Sequence, residues 1–206
     1  MPDPYERYYK GRGVGQHKPS SSMYNLSKFF KKENVDKLLD FYCGTGRNSI
    51  FLAQKGFDVY CFDRSKTAIA SLRKRQKETN RKMHIRLLKL TGELPYRNNF
   101  FDAVIIVRAL YQARLAGIKK YIKEIHRITK NGGYVYVESD QQYVWKRKQF
   151  YGQVKTNEKG TYQHGKGGDY YHYFTKKEFK SLFRDYNTIK FHFKDRKFNV
   201  LLQKKL

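Results

Sequence analysis

The 206-residue chain carries 44 Lys and Arg against 18 Asp and Glu, a formal charge of +26. With 39% hydrophobic residues it has the apolar share of a globular domain, not of a disordered chain, and its length suits one domain of ordinary size. Its longest aliphatic run, Ala103 to Val107, falls far short of the ~20 residues of a membrane span, the start MPDPYERYYKGRG lacks a signal-peptide stretch, and two cysteines make no disulfide scaffold, so a cytoplasmic protein with no membrane partner is expected.

Residues 1–20 mix Pro2, Pro4 and Pro19 with Gly11, Gly13 and Gly15 and read as an irregular arm. Ser20 to Ser22 cap a short helix to about Lys32 with Met23, Leu26, Phe29 and Phe30 on one face. From there strands and helices alternate. Val35 to Tyr42 is a strand, Arg47 to Lys55 a helix stopped at Gly56, and Phe57 to Phe62 a second strand ending at Asp63. Ser65 caps a polar helix to about Arg81, and His84 to Leu90 is a third strand. Phe101 to Val107 is a buried fourth strand, of the continuous apolar kind that parallel sheets use.

Leu115, Ile118, Ile122, Ile125 and Ile128 form a helical stripe halted at Asn131-Gly132-Gly133, before a fifth strand, Tyr134 to Val137. Periodicity then disappears from Ser139 to Phe174, a stretch holding Trp145, the cluster Lys146-Arg147-Lys148 and HGKGGD. Thr175 and Glu178 make a capping box, and Ile189 to Phe193 and Phe198 to Leu202 a hairpin joined by KDRK. The order predicts a Rossmann-like, doubly wound α/β fold: a mostly parallel seven-stranded sheet closed by a C-terminal antiparallel hairpin. Residues 1–33 form an arm and helix, able to serve as a lid, and residues 34–206 a single domain in which 140–174 is an insertion.

The turn after the first strand, Asp40-Phe-Tyr-Cys-Gly44-Thr-Gly46, lets the backbone come close to a ligand, and Asp63 ends the next strand where a carboxylate accepts from ribose hydroxyls. A dinucleotide site would want G-x-G-x-x-G/A, which Gly44-x-Gly46-x-x-Ser49 narrowly misses. An adenosyl sulfonium wants an acid before the loop, and Asp40 supplies it.

LDFYCGTGRNSIFLAQKGFDVYCFDRS, LPYRNNFFDAVIIVRALYQ and IKKYIKEIHRITKNGGYVYVES resemble motifs of class I S-adenosylmethionine (SAM)-dependent methyltransferases from Val35 to Asp140. GQHKPSS and YYHYFTKKEFKSLF look like an uncharacterised, tellurite-resistance-type prokaryotic branch; YYHYFTKKEF with KDRKFNV also looks similar to methyltransferases of tRNA wobble uridines. The resemblance implies that Asp40 and the backbone of Cys43, Gly44 and Gly46 hold the methionine part of SAM. It places Asp63 on the ribose, Arg64 beside the adenine, Thr91 and Gly92 at the adenine edge, and Arg108 at the loop facing the methyl group, with S-adenosylhomocysteine (SAH) as product. Tyr42 stands where the family has its first loop glycine, so its ring must either crowd the cofactor or point away; Leu90 replaces the acid usual near the adenine.

Methyl transfer from a sulfonium is an in-line displacement needing mostly orientation, and a base only if the acceptor must lose a proton. Candidate acceptor-side groups after the carboxyl ends of strands are Tyr111, Gln112, Glu138 and His172; the alternative for His172 is an ordinary packing histidine, and for Glu138 a solvated strand end. Cys43 and Cys61 read as buried thiols, and the six histidines show no metal-ligand spacing, so no metal is expected. Basic residues interleaved with Tyr143, Trp145, Tyr151 and Tyr162 suit an unpaired RNA strand, while a lysine-rich composition alone would leave a small-molecule acceptor. A catalytically inactive nucleic-acid-binding protein on the same fold is the alternative function.

Overall fold

The computed structural model describes residues 4–12, 17–79, 81–89, 92–140, 153–164, 169–194 and 197–206. Seven strands hydrogen-bond in the order 84–87, 58–63, 37–41, 101–107, 129–140, 197–204 and 186–194, and strands 153–155, 161–164 and 170–172 form a second sheet. The chain divides into two compact units, Met1–Leu94 with Phe100–Ile105, and Pro95–Asn99 with Ile106–Leu206.

The first unit runs α1 (Pro4–Arg12), α2 (Ser22–Lys32), β1 (Lys37–Phe41), α3 (Arg47–Gln54), β2 (Asp58–Asp63), α4 (Lys66–Thr79), β3 (His84–Leu87) and most of β4 (Phe101–Val107). β1 is parallel to β2 and β4, and β2 to β3. Leu38, Leu39, Phe41, Phe101, Val104 and Ile105 are wholly buried, as expected for strands covered on both faces. Asp102 fixes the start of β1 by accepting from the Asp36 and Lys37 amides at 3.2 and 2.8 Å. Met23, Leu26 and Phe30 bury the apolar face of α2.

Residues 4–12, expected to be irregular, are the helix α1. Pro4 and Gly11 give no helical signal, and tertiary bonds hold it instead. The third strand stops at Leu87, three residues before its expected end.

In the second unit, α5 (Leu115–Ile128) passes directly into β5 (Thr129–Asp140). The helix therefore ends three residues before the expected Asn131 stop. Thr129 is already extended, its hydroxyl bonds the Ile125 carbonyl at 2.6 Å, and the buried Lys204 ammonium takes the His126 and Thr129 carbonyls at 2.9 and 2.8 Å. A side chain from the far end of the sequence thus satisfies the helix terminus.

Where periodicity vanished, β6 (Gln153–Lys155), β7 (Thr161–His164) and β8 (Tyr170–His172) pair antiparallel. Three- and four-residue strands are too short to show alternation. Trp145, the 146–148 cluster, Tyr143 and Tyr151 lie outside the described residues. α6 (Lys176–Leu182) begins at the expected box, with Thr175 accepting from the Glu178 amide. β9 (Tyr186–Lys194) and β10 (Lys197–Lys204) form the closing antiparallel pair, longer at both ends than expected. Phe179 stacks on Phe198 at 5.0 Å within a cluster that includes Phe174, Phe183 and Phe191. No described helix is long and apolar enough to cross a membrane.

Candidate functional site

The glycine loop of the first unit begins where β1 ends. Tyr42, Gly44 and Gly46 all have left-handed backbones, with φ of 57°, 58° and 78°. Tyr42 therefore keeps the conformation that glycine adopts most readily, and its ring packs on Phe41 and Phe62 at centroid distances of 5.0 and 5.1 Å. A Cβ on Gly46 would lie 2.1 Å from Leu72 of α4, so helix–loop packing demands glycine there. A Cβ on Gly44 would lie 2.5 Å from the Tyr9 hydroxyl. The Cys43 amide bonds the Phe62 carbonyl at 2.9 Å, and Arg75 reaches from α4 to the Thr45 carbonyl at 2.7 Å.

Two buried carboxylates flank this loop. Asp63 accepts from the Gly44 amide through one oxygen and the Ser65 amide through the other, each at 2.9 Å. Burial pushes its carboxyl up, opposed by those bonds. Asp40 accepts from the Ser49 hydroxyl at 2.6 Å. Burial pushes Asp40 up to about 6, against the Ser49 bond and the Arg47 charge. A carboxylate so placed gains most from an arriving cation.

α1 lies against α4. Glu6 accepts from the Ser65 hydroxyl at 2.7 Å and from the Thr67 hydroxyl and amide at 2.5 and 3.3 Å. The Thr67 and Ser65 hydroxyls hold it down to about 2. The Tyr9 phenol is pushed up by burial and by the Asp63 charge. Of the other expected cofactor residues, Arg64 is half-buried and Gly92 exposed; Thr91 lies outside the described residues, as does Leu90. Cys43 is half-buried with its thiol pushed up by burial and by Cys61, and Cys61 is buried.

The acceptor-side residues belong to the second unit. Arg108 has a left-handed backbone at φ 58°, its amide bonds the Glu138 carbonyl at 2.7 Å, and its Nε stands 3.9 Å from the Glu138 carboxylate. Tyr136 donates to Glu138 at 3.3 Å. Gln112 bonds the Arg108 carbonyl at 2.6 Å. Tyr111 is buried near the Tyr171 ring, and Arg114 covers the Tyr170 ring at 4.7 Å. His172 is brought to Tyr111 through its own amide, 2.8 Å from the Tyr111 carbonyl. Its ring is enclosed, with Nδ1 2.7 Å from Thr161 Oγ1 and Nε2 3.0 Å from Glu178 Oε2.

Glu6, Ser49, Arg75, Thr161 and Glu178 were not among the expected site residues. Each acts across a fold contact, except that Ser49 at least follows Asp40 by nine residues on the loop's own helix. A cavity of about 490 Å³ in the second unit, lined by Asn98, Asn99, His126, Arg127, Asp185 and Lys204 among others, holds none of the expected residues. Its Arg127 and Lys204 are already bonded to Glu124, Asn98, Asn99 and backbone carbonyls.

A family profile described as a methyltransferase domain matches residues 39–137. TehB of Haemophilus influenzae, described as a probable SAM-dependent methyltransferase, is 32% identical over 99 residues, covering 48% of this chain and 34% of that protein. The chain thus spans about a third of that relative's length. The crystal structure of the PH0226 protein from Pyrococcus horikoshii superposes with a TM-score of 0.75 at 17% identity, covering 97% of this chain and 99% of that one. A Burkholderia thailandensis 1,6-didemethyltoxoflavin N1-methyltransferase, crystallised with its acceptor and SAH, superposes at 0.69 and 15% identity over 98% of this chain and 85% of that one.

Proposed function

We propose, from the match of residues 39–137 to a methyltransferase domain profile, that the chain transfers the sulfonium methyl group of SAM to an acceptor, releasing SAH. The carrying observation is the pair of buried carboxylates, Asp40 and Asp63, on either side of a left-handed glycine loop. The residues fit the cofactor by their chemistry. Asp40 meets the cationic amino-acid end, and the Asp63 oxygens retain lone pairs for two ribose hydroxyls beyond the two amides they already hold. The backbone of Cys43, Gly44 and Gly46 admits the methionine part; Tyr42 shapes the turn and sends its ring to Phe41 and Phe62. Arg64, Thr91 and Gly92 serve the adenine, and Arg108 opens the loop toward the methyl group.

The cofactor supplies an activated methyl on sulfur, so the chain's work is to orient the acceptor and exclude water. Tyr111 and Glu138 are the acceptor-side groups. α1 is a lid, pinned by Glu6 to the start of α4 and placing Tyr9 on Gly44. The acceptor carries a planar ring, which the Tyr111–Tyr171 pair and the Arg114–Tyr170 pair suit, and it is a small molecule or an unpaired RNA base.

Incubating the full chain with methyl-tritiated SAM and a cell extract divided into RNA and small-molecule fractions tests the reading. Label in the small fraction identifies a metabolite methyltransferase, and label in RNA makes the positive charge part of substrate binding. No transfer to either, with SAH bound weaker than millimolar, would favour the inactive nucleic-acid-binding alternative.

A further inference from the structure

The ring of His172 is wholly buried and bonded at both nitrogens, and those two bonds fix where its protons are. Thr161 donates its hydroxyl hydrogen to the Glu158 carboxylate, which can only accept. That hydroxyl has one hydrogen, so toward Nδ1, 2.7 Å away, it offers only a lone pair, and Nδ1 must be the donor. Nε2 faces a carboxylate oxygen of Glu178 at 3.0 Å and must donate too. Both nitrogens therefore carry hydrogen.

The partners on the acid side are Glu158 and Glu178. On the basic side, Arg114 acts on Glu158, while Lys159, Lys176 and Lys177 are exposed to solvent. Burial raises the Glu158 carboxyl, but the Thr161 and Leu115 bonds and the His172 charge outweigh it and keep it low, in keeping with an ionised acceptor.

This network holds one loop at two points. The His172 amide bonds the Tyr111 carbonyl at 2.8 Å, and the Glu158 oxygen that accepts from Thr161 also accepts the amide of Leu115, the first residue of α5, at 2.9 Å. Gly160 closes the arrangement from below: a Cβ there would stand 3.2 Å from the imidazole Cε1. Segment 111–115 is thus tied at both ends to the small sheet.

We propose that His172 is a doubly protonated strut between Glu178 and the Thr161–Glu158 pair, a positioning residue that fixes the Tyr111–Leu115 loop and is not a general base. An imidazolium has no lone pair with which to take an acceptor's proton. The importance of the loop for an acceptor rests on the methyltransferase reading; the protonation and the tethering do not.

The test uses the full chain labelled with ¹⁵N-histidine, without cofactor, at pH 7, with amide exchange at Leu115 as second readout. Both His172 nitrogens should resonate as protonated donors. Thr161→Val should speed Leu115 exchange at least tenfold and Thr161→Ser should restore it, because serine keeps the hydroxyl. A neutral His172 tautomer would overturn the proposal, and so would Leu115 exchange that Thr161→Val leaves unchanged. Should Thr161→Val fail to fold, the wild-type ring spectrum decides alone. Loss of methyl transfer in the tritium assay would leave these readouts in place, so failure of one reading is distinguishable from failure of the other.

Discussion

Asp40 sits where burial favours its neutral form and a bound cation favours its charged form. With its carboxyl raised to about 6 from an ordinary 3.8, the native state holds a proton that the unfolded chain has lost between those values. Its contribution to stability is therefore greatest at low pH and declines as pH rises from about 4 to 6. On the proposed function, in which Asp40 meets the cationic end of the cofactor, binding runs the other way, since it requires the ionised carboxylate. SAH affinity should fall about tenfold from pH 7 to pH 5, with proton release on binding near pH 6 by calorimetry in buffers of different ionisation heat. The same titration with Asp40→Asn should lose that pH dependence. Tyr42 makes a second prediction: because its ring lies on Phe41 and Phe62, Tyr42→Gly should change SAH affinity less than threefold. A gain of tenfold or more would mean that the ring obstructs the cofactor.

At the scale of elements, the loop and α4 are fitted to each other through Gly46 and Leu72. Gly46→Ala combines a positive φ with a methyl driven into Leu72, and should cost about 2–4 kcal/mol in urea unfolding, from backbone strain and overpacking together. A loss under about 0.5 kcal/mol would show that the loop yields easily. α1 is held by polar bonds more than by an apolar face, so Glu6→Gln should loosen it, raising amide exchange in residues 6–11 and speeding SAH release. The held-down carboxyl of Glu6 supports α1 wherever it is ionised, and that support is lost only as pH falls toward about 2, so α1 should be insensitive to pH above 5.

How visible each element was follows from its source of order. β4 and α5 begin where apolar runs and helical stripes place them, because burial alone organises them. α1 was invisible because its stability lies in Glu6 reaching Ser65 and Thr67, sixty residues away in sequence. Asp40, Gly44, Gly46 and Asp63 could be singled out as a local pattern on consecutive elements. The partners of His172 could not, since Thr161, Glu158 and Glu178 converge on it only after β7, β8 and α6 have formed.

For the whole molecule, the charge of +26 attracts polyanions whatever the acceptor is. Binding of an unstructured RNA oligonucleotide should weaken at least tenfold between 50 and 200 mM salt, as counterion release requires. Salt-independent binding would point to base contacts instead of charge. The buried aromatic cluster of Phe174, Phe179, Phe183 and Phe198, edged by the half-buried Phe191, shows that the basic composition coexists with a full core.

Calorimetric titration of SAH into the wild-type chain and into Asp63→Ala asks whether Asp63 holds the ribose. Wild-type binding in the micromolar range, weakened by roughly 1.5–3 kcal/mol in the variant through lost charged hydrogen bonds, is the predicted result. Equal affinity in the two proteins would place the ribose elsewhere, and no binding to the wild type would contradict the account itself.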